Sequence, residues 1–209
     1  MQKQPTERRN RDAEMLVAAT KIFASKGYAG ASVQDVATAI GVLKGSLYHY
    51  IDGKEDMLYR IFEQSYNEDM ELRAEIVDMD ADPLTKLKTY FERYVHKTLV
   101  NLDRTSLYFR DWRNLTGERL EKVLEQRRSY EVFIRQLIED MYSAGQAERG
   151  IKSKYISFFI IGGVHWVSDW YHESGPDSPE VVAESFANLA VAVVQGTKSI
   201  SALTEMRPS

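Results

Sequence analysis

Between Ser32 and Ile51 the chain reads SVQDVATAIGVLKGSLYHYI. Val33, Val36, Ala37 and Ile40 recur at the spacing of one helical face. Ser32 stands where a hydroxyl caps free amides, and Asp35 occupies the acidic position of a capping box. Gly41 can stop this helix, Gly41-Val42-Leu43 makes a tight turn, and the pattern predicts a third short helix from Lys44 to Tyr50. Two short helices joined by a glycine-containing turn form a helix-turn-helix unit, here about 32–51, whose second helix can enter the major groove of DNA. Leu47 turns inward with Ile51 four residues on, which leaves Lys44, Gly45, Ser46, Tyr48 and His49 as a small, polar, hydrogen-bonding face. A plain surface helix is the competing reading of the same spacing.

Working outward, Met15, Leu16, Ala19, Ile22 and Phe23 form a helical stripe that ends at Lys26-Gly27. Asp52-Gly53 separates the third helix from a fourth, Lys54 to about Val77. Asp82-Pro83 is a helix start, with the acid as cap and proline at the first position, and predicts a helix to about Asn101. Another begins near Asp103, and long amphipathic segments follow over Thr116 to Ala144, Lys152 to His172 and Pro179 to Val194. Alternating strand patterns closed by Asn-Gly turns are absent, so the expected fold is all-α, of about nine helices. The expected division is a helix-turn-helix domain over 1–60 and a ligand-binding and dimerisation bundle over 61–209.

Charge supports this division. Over 1–60, 9 Lys and Arg face 7 Asp and Glu, whereas over 61–209 the balance is 18 to 24, a net +2 against −6. Lys3, Arg8, Arg9 and Arg11 add a basic start that could meet phosphates. With no cysteine in 209 residues, disulfide frameworks, thiolate metal sites and cysteine nucleophiles are excluded, and a cytoplasmic location is expected. The polar N-terminus shows no signal peptide, and the longest apolar stretch, Tyr155 to Trp166, is too short to span a membrane. Four histidines without a His-x-x-x-His pair, and no phosphate loop, argue against an enzyme and against a cofactor. His165, Asp169 and His172 could form one edge of a metal site, but no fourth ligand accompanies them.

The whole stretch from Met15 to Phe62, centred on AATKIFASKGYAGASVQDVATAIGVLKGSLYHYIDGKEDML, resembles the N-terminal DNA-binding domain of the tetracycline-repressor (TetR) family of transcription regulators. The likeness covers the first-helix AA-x-x-x-F pattern, the V-x-D-V-A helix, the A-x-x-G-V turn, the G-S-L-Y-H-Y recognition helix and the K-E-D-M-L start of the fourth helix. Leu43 stands where many members carry a capping serine or threonine, and Ile51-Asp52-Gly53 replaces a commoner Phe-x-Ser or Phe-x-Asn turn. The resemblance implies DNA contacts at Ser32, Val33, Lys44, Gly45, Ser46, Tyr48, His49 and Tyr50, with the Lys54 amide and side chain at a phosphate. For Tyr50, packing against the first and fourth helices is the preferred reading.

In the second domain the aromatic content carries the signal. Tyr90, Tyr94, Tyr108, Trp112 and Trp166, with Arg110 and Arg113, are candidate ligand-binding residues, although a bundle core is the preferred reading of most such aromatics. The segment WVSDWYHESGPDSPE (166–180) resembles an element of TetR regulators that sense acyl-coenzyme A thioesters in fatty-acid or steroid degradation, with Gly162-Gly163 in place of a more polar pair. Phe186, Leu189, Ala190 and Val193 form an apolar stripe with small residues and are the candidate dimer interface. The expected function is a homodimeric repressor released from a palindromic operator by a small apolar or acyl-coenzyme A-like effector. The alternatives are a ligand-independent architectural DNA binder, which leaves the aromatic bundle unexplained, and an all-α enzyme. No membrane partner is expected.

Overall fold

The computed structural model describes residues 5–205, and side chains over 11–196. Among the described residues there are nine α-helices and no strand: α1 (Pro5–Lys26), α2 (Val33–Ala39), α3 (Lys44–Leu47), α4 (Lys54–Asp78), α5 (Pro83–Val100), α6 (Leu102–Arg110), α7 (Gly117–Ser143), α8 (Ser153–Trp170) and α9 (Pro179–Glu205), with a 3-10 turn over Trp112–Asn114. Local chemistry explains several boundaries. The Ser32 hydroxyl accepts from the Asp35 amide while the Asp35 carboxylate accepts from the Ser32 N–H at 2.8 Å, so the capping box is complete on both sides. Asp82 caps α5 by accepting from the Thr85 N–H at 3.1 Å, with Pro83 at the first helical position. Gly27, Gly41 and Gly145 end α1, α2 and α7 at positive φ, where a side chain would be strained.

The third helix is shorter than its pattern predicts. It closes at Leu47, and 48–50 continue as tight turns, the Tyr50 N–H donating to the Leu47 carbonyl at 2.8 Å. Leu43 supplies no side-chain cap, so the first turn of α3 begins without the hydrogen bond that Ser32 provides to α2.

Packing divides the chain into two compact units at different places from the 60/61 split. The first comprises residues up to Asn67 together with Leu102–Val123, and the second comprises Glu68–Asn101 and Leu124 onward. The first unit has one core: Met15, Ala19 and Phe23 of α1, Val36 and Ala37 of α2, Leu47 of α3, and Leu58, Ile61 and Phe62 of α4 meet Leu107 of α6 and Leu115. Residues 102–123 thus belong with the N-terminal helices because their apolar side chains complete that core. In the second unit α5 packs along α9, and α8 packs on both. Leu87, Tyr90, Phe91, Val95 and Leu99 form the buried stripe of α5. No helix among the described residues is long and apolar enough to cross a membrane.

Candidate functional site

In the first unit, Leu47 is the anchor of the recognition segment. It is buried at 1% exposure, and the Ile51 N–H donates to its carbonyl at 3.1 Å. With this residue inward, Lys44, Gly45, Ser46, Tyr48 and His49 are all exposed, as is Ser32 at the cap of α2. Together they present ammonium, hydroxyl, phenol and imidazole groups on one short element, and such groups can donate to base edges or phosphate oxygens.

Three candidates for DNA contact lie elsewhere. Val33 is buried in the core beside Val36, so its side chain serves packing. Tyr50 is partly buried against the same core, as its inward reading expects. The Lys54 ammonium donates to the carbonyls of Tyr28 at 2.7 Å and Ala31 at 2.9 Å and sits 4.2 Å from the centre of the Tyr28 ring. Those carbonyls lie in the loop between α1 and α2, so the Lys54 side chain braces that loop. Of the basic start, Lys3 and the side chains of Arg8 and Arg9 lie outside the described residues, while Arg11 is placed 3.6 Å from Glu14.

The seven candidate ligand residues divide between the units. Tyr108 stands edge-on to Phe62 at 5.3 Å in the first core, Trp112 packs against that core with the Arg113 guanidinium 4.3 Å from its ring, and Arg110 is exposed. Tyr90 and Tyr94 belong to the second unit, where rings run in contact from Tyr90 to Tyr94 (5.6 Å), Tyr130 (5.1 Å) and His165 (6.1 Å). Beside this run Asp69 and Arg73 of α4 form a buried ion pair. The Tyr90 hydroxyl donates to Asp69 at 2.8 Å, and Arg73 donates to the Ser129 hydroxyl at 3.0 Å with its guanidinium 5.4 Å from the rings of both Tyr130 and Phe133. Burial pushes the Tyr90 and Tyr130 phenols well above their ordinary range and raises Asp69 despite its basic partner. Burial, with Arg127 adding to it, lowers His165 to about 3, so its imidazole is neutral. These polar groups were missed from the sequence because Asp69 and Arg73 read as an ordinary solvated i,i+4 pair.

Trp166, a candidate for ligand lining, faces outward. It is 64% exposed and shares one face of α8 with exposed Tyr155, Phe159 and Gly162, at spacings of three and four residues. On α9 Val181, Ser185, Leu189 and Ala192 are among the exposed residues. Of the candidate dimer residues, Leu189 faces out at 57% exposure, whereas Ala190 is buried, Val193 is partly buried and Phe186 stacks on Trp170 at 6.2 Å. The exposed apolar residues of α9 are thus rotated from the stripe read in the sequence, Ala190 being buried.

Residues 15–61 match the family model for bacterial regulatory proteins of the tetR family, and residues 80–194 match that for the tetracyclin repressor-like C-terminal domain. The chain belongs to the TetR family. It is a DNA-binding transcriptional regulator and not an enzyme. Among similar proteins is the HTH-type transcriptional repressor KstR2 of Mycobacterium tuberculosis (strain H37Rv), 25% identical over 183 residues that cover 85% of this chain and 89% of the relative. The structure of the ketosteroid transcriptional regulator KstR2 of Mycobacterium tuberculosis superposes with a TM-score of 0.81 at 21% identity, covering 87% and 93% of the two chains. The crystal structure of AibR in complex with isovaleryl coenzyme A and operator DNA matches with a TM-score of 0.76 at 22% identity, over 88% and 98% of the two chains.

Proposed function

We propose that this TetR regulator is a homodimeric repressor that reads an inverted repeat through Lys44, Gly45, Ser46, Tyr48 and His49, and that an acyl-coenzyme A thioester releases it. The outward donors around buried Leu47 carry the reading. So short a segment contacts few base pairs, and two copies about one helical turn apart supply the length an operator needs. The exposed aromatic face of α8, with Leu189 of α9, supports the dimer, since a solvent-facing apolar surface of this kind is covered in a stable protein. Gly162 on that face has open space around it and lets a partner helix approach closely.

The effector's acyl chain is assigned to the second unit, along Tyr94, Tyr130 and His165. Gln126 lies one turn before Tyr130 on the same face of α7, and its carboxamide oxygen is buried with no hydrogen-bond partner among the described residues. An amide N–H of the ligand would satisfy it. That AibR is seen with isovaleryl coenzyme A and operator DNA supports this effector class.

The test begins with the duplex that the protein selects from a random-sequence pool. That duplex should be palindromic, Tyr48→Ala should weaken binding to every sequence, and Lys44→Ala should change base preference. An unaltered affinity and preference in both variants overturns the DNA-reading assignment. Acyl-coenzyme A esters of graded length should raise the melting temperature and lower operator affinity about 5- to 150-fold. Thermal stabilisation without loss of operator affinity overturns the release mechanism alone.

A further inference from the structure

Just past the recognition segment stand three carboxylates, Asp52, Glu55 and Asp56, within a few residues in sequence of the groups assigned to DNA. Carboxylates beside phosphate repel it, so their partners matter. Glu55 accepts from the Thr116 backbone N–H at 2.8 Å and from its hydroxyl at 3.2 Å, which caps the start of α7 with a side chain from α4. One turn further along α7, Arg119 donates to Asp56 at 2.9 Å and to Asp52 at 3.3 Å. Asp56 also lies 3.9 Å from Arg60, which donates to the Tyr50 carbonyl at 3.2 Å and pairs with Asp12 of α1. The network joins the end of the recognition segment to α1, α4 and α7, with partners more than 60 residues apart in the chain.

The geometry points to Arg119 as a positioning residue for operator binding, with Thr116 as its support. It holds the turn between recognition segment and α4 in one geometry and cancels the charge of Asp52, whose side chain is 87% exposed. Isolated surface pairs contribute little, but the Asp56 side chain is only 14% exposed and is shared by two guanidinium groups. The inference rests on the DNA-reading assignment, and its test separates the two.

Binding is measured by fluorescence anisotropy on the duplex selected by the wild type, from low to high salt. Arg119→Gln should bind about tenfold more weakly at low salt, and the gap should narrow as salt rises, because the repulsion it exposes is screened. Asp52→Asn added to Arg119→Gln should restore most of the affinity, which a loss of fold would not allow. Lys122→Gln removes the same charge from α7, but Lys122 pairs with Glu118 of its own helix and should change binding less than twofold. A salt-independent loss that Asp52→Asn does not restore overturns the proposal, as does wild-type binding by Arg119→Gln when Lys44→Ala is impaired. If Lys44→Ala also binds and discriminates like the wild type, the recognition-helix assignment fails first.

Discussion

Helix α4 carries the same six-residue pattern twice, Glu-Asp-Met-x-x-Arg at 55–60 and again at 68–73, and the two copies end in opposite environments. In the first copy Met57 is fully buried, while Asp56 and Arg60 sit at the edge of the first unit's core. In the second copy Met70 is 40% exposed, while Asp69 and Arg73 are buried in the second unit. The copies are 13 residues apart in the sequence. At about 100° per residue that offset turns the second copy about 220° around the helix axis from the first. The i,i+4 spacing makes both ion pairs, but the face that meets a core decides what each pair is worth. A part-exposed pair gains little and is screened by salt. A buried pair has lost the hydration of both charges and depends on every remaining partner.

The largest effect should come from the buried copy. Arg73→Met leaves the Asp69 carboxylate buried with the Tyr90 hydroxyl and should cost about 3–5 kcal/mol in urea denaturation at fixed protein concentration. Converting Asp69→Leu, Arg73→Met and Tyr90→Phe together should recover most of that loss. If the single variant loses under 1 kcal/mol, the contrast between the copies collapses.

Next in size is the pH response of the same interior. His165 is lowered to about 3, so below its unfolded value the unfolded chain takes up a proton that the folded chain refuses. Stability should therefore fall as pH drops from about 6.5 towards 3, and with those two values the loss is about 2 kcal/mol at pH 5. His165→Phe should flatten that part of the curve relative to wild type. An identical slope in both proteins would remove His165 from the buried polar interior.

Arg60→Met in the first copy should cost only about 1 kcal/mol, because Asp12 and Asp56 stay partly hydrated when it is removed. A cost comparable to that of Arg73→Met would show that exposure is not what separates the copies. The smallest expected effect is that of salt. Raising sodium chloride to about 1 M should reduce the Arg60 coupling towards zero and leave the Asp69–Arg73 coupling nearly unchanged in double-mutant cycles. Equal sensitivity would break the comparison from the other side.

The reading head was legible residue by residue because its signals are local. The Ser32–Asp35 box, the Gly41 stop and inward Leu47 each depend on neighbours within four residues, and each is found where the spacing puts it. The second unit was legible only as helices. That Trp166 faces out and Ala190 is buried is not written in the sequence, because an aromatic or an alanine on an amphipathic helix does not say which neighbour it meets. No pattern in the sequence announces the carbonyls of Tyr28 and Ala31 that hold the Lys54 side chain.

By itself, then, the amino-acid sequence determined the helical fold, the helix-turn-helix and the regulator family, since these follow from periodicity, caps and an ordered signature over 15–62. Tertiary structure alone decided that residues 102–123 complete the N-terminal core, that Asp69 and Arg73 are buried while Asp56 and Arg60 are only partly so, and that Arg119 reaches back to Asp52 and Asp56. The physical reason is range. Capping and periodicity act within a few residues, whereas desolvation and charge pairing depend on which distant segments arrive beside a side chain, and that is set only when the helices pack.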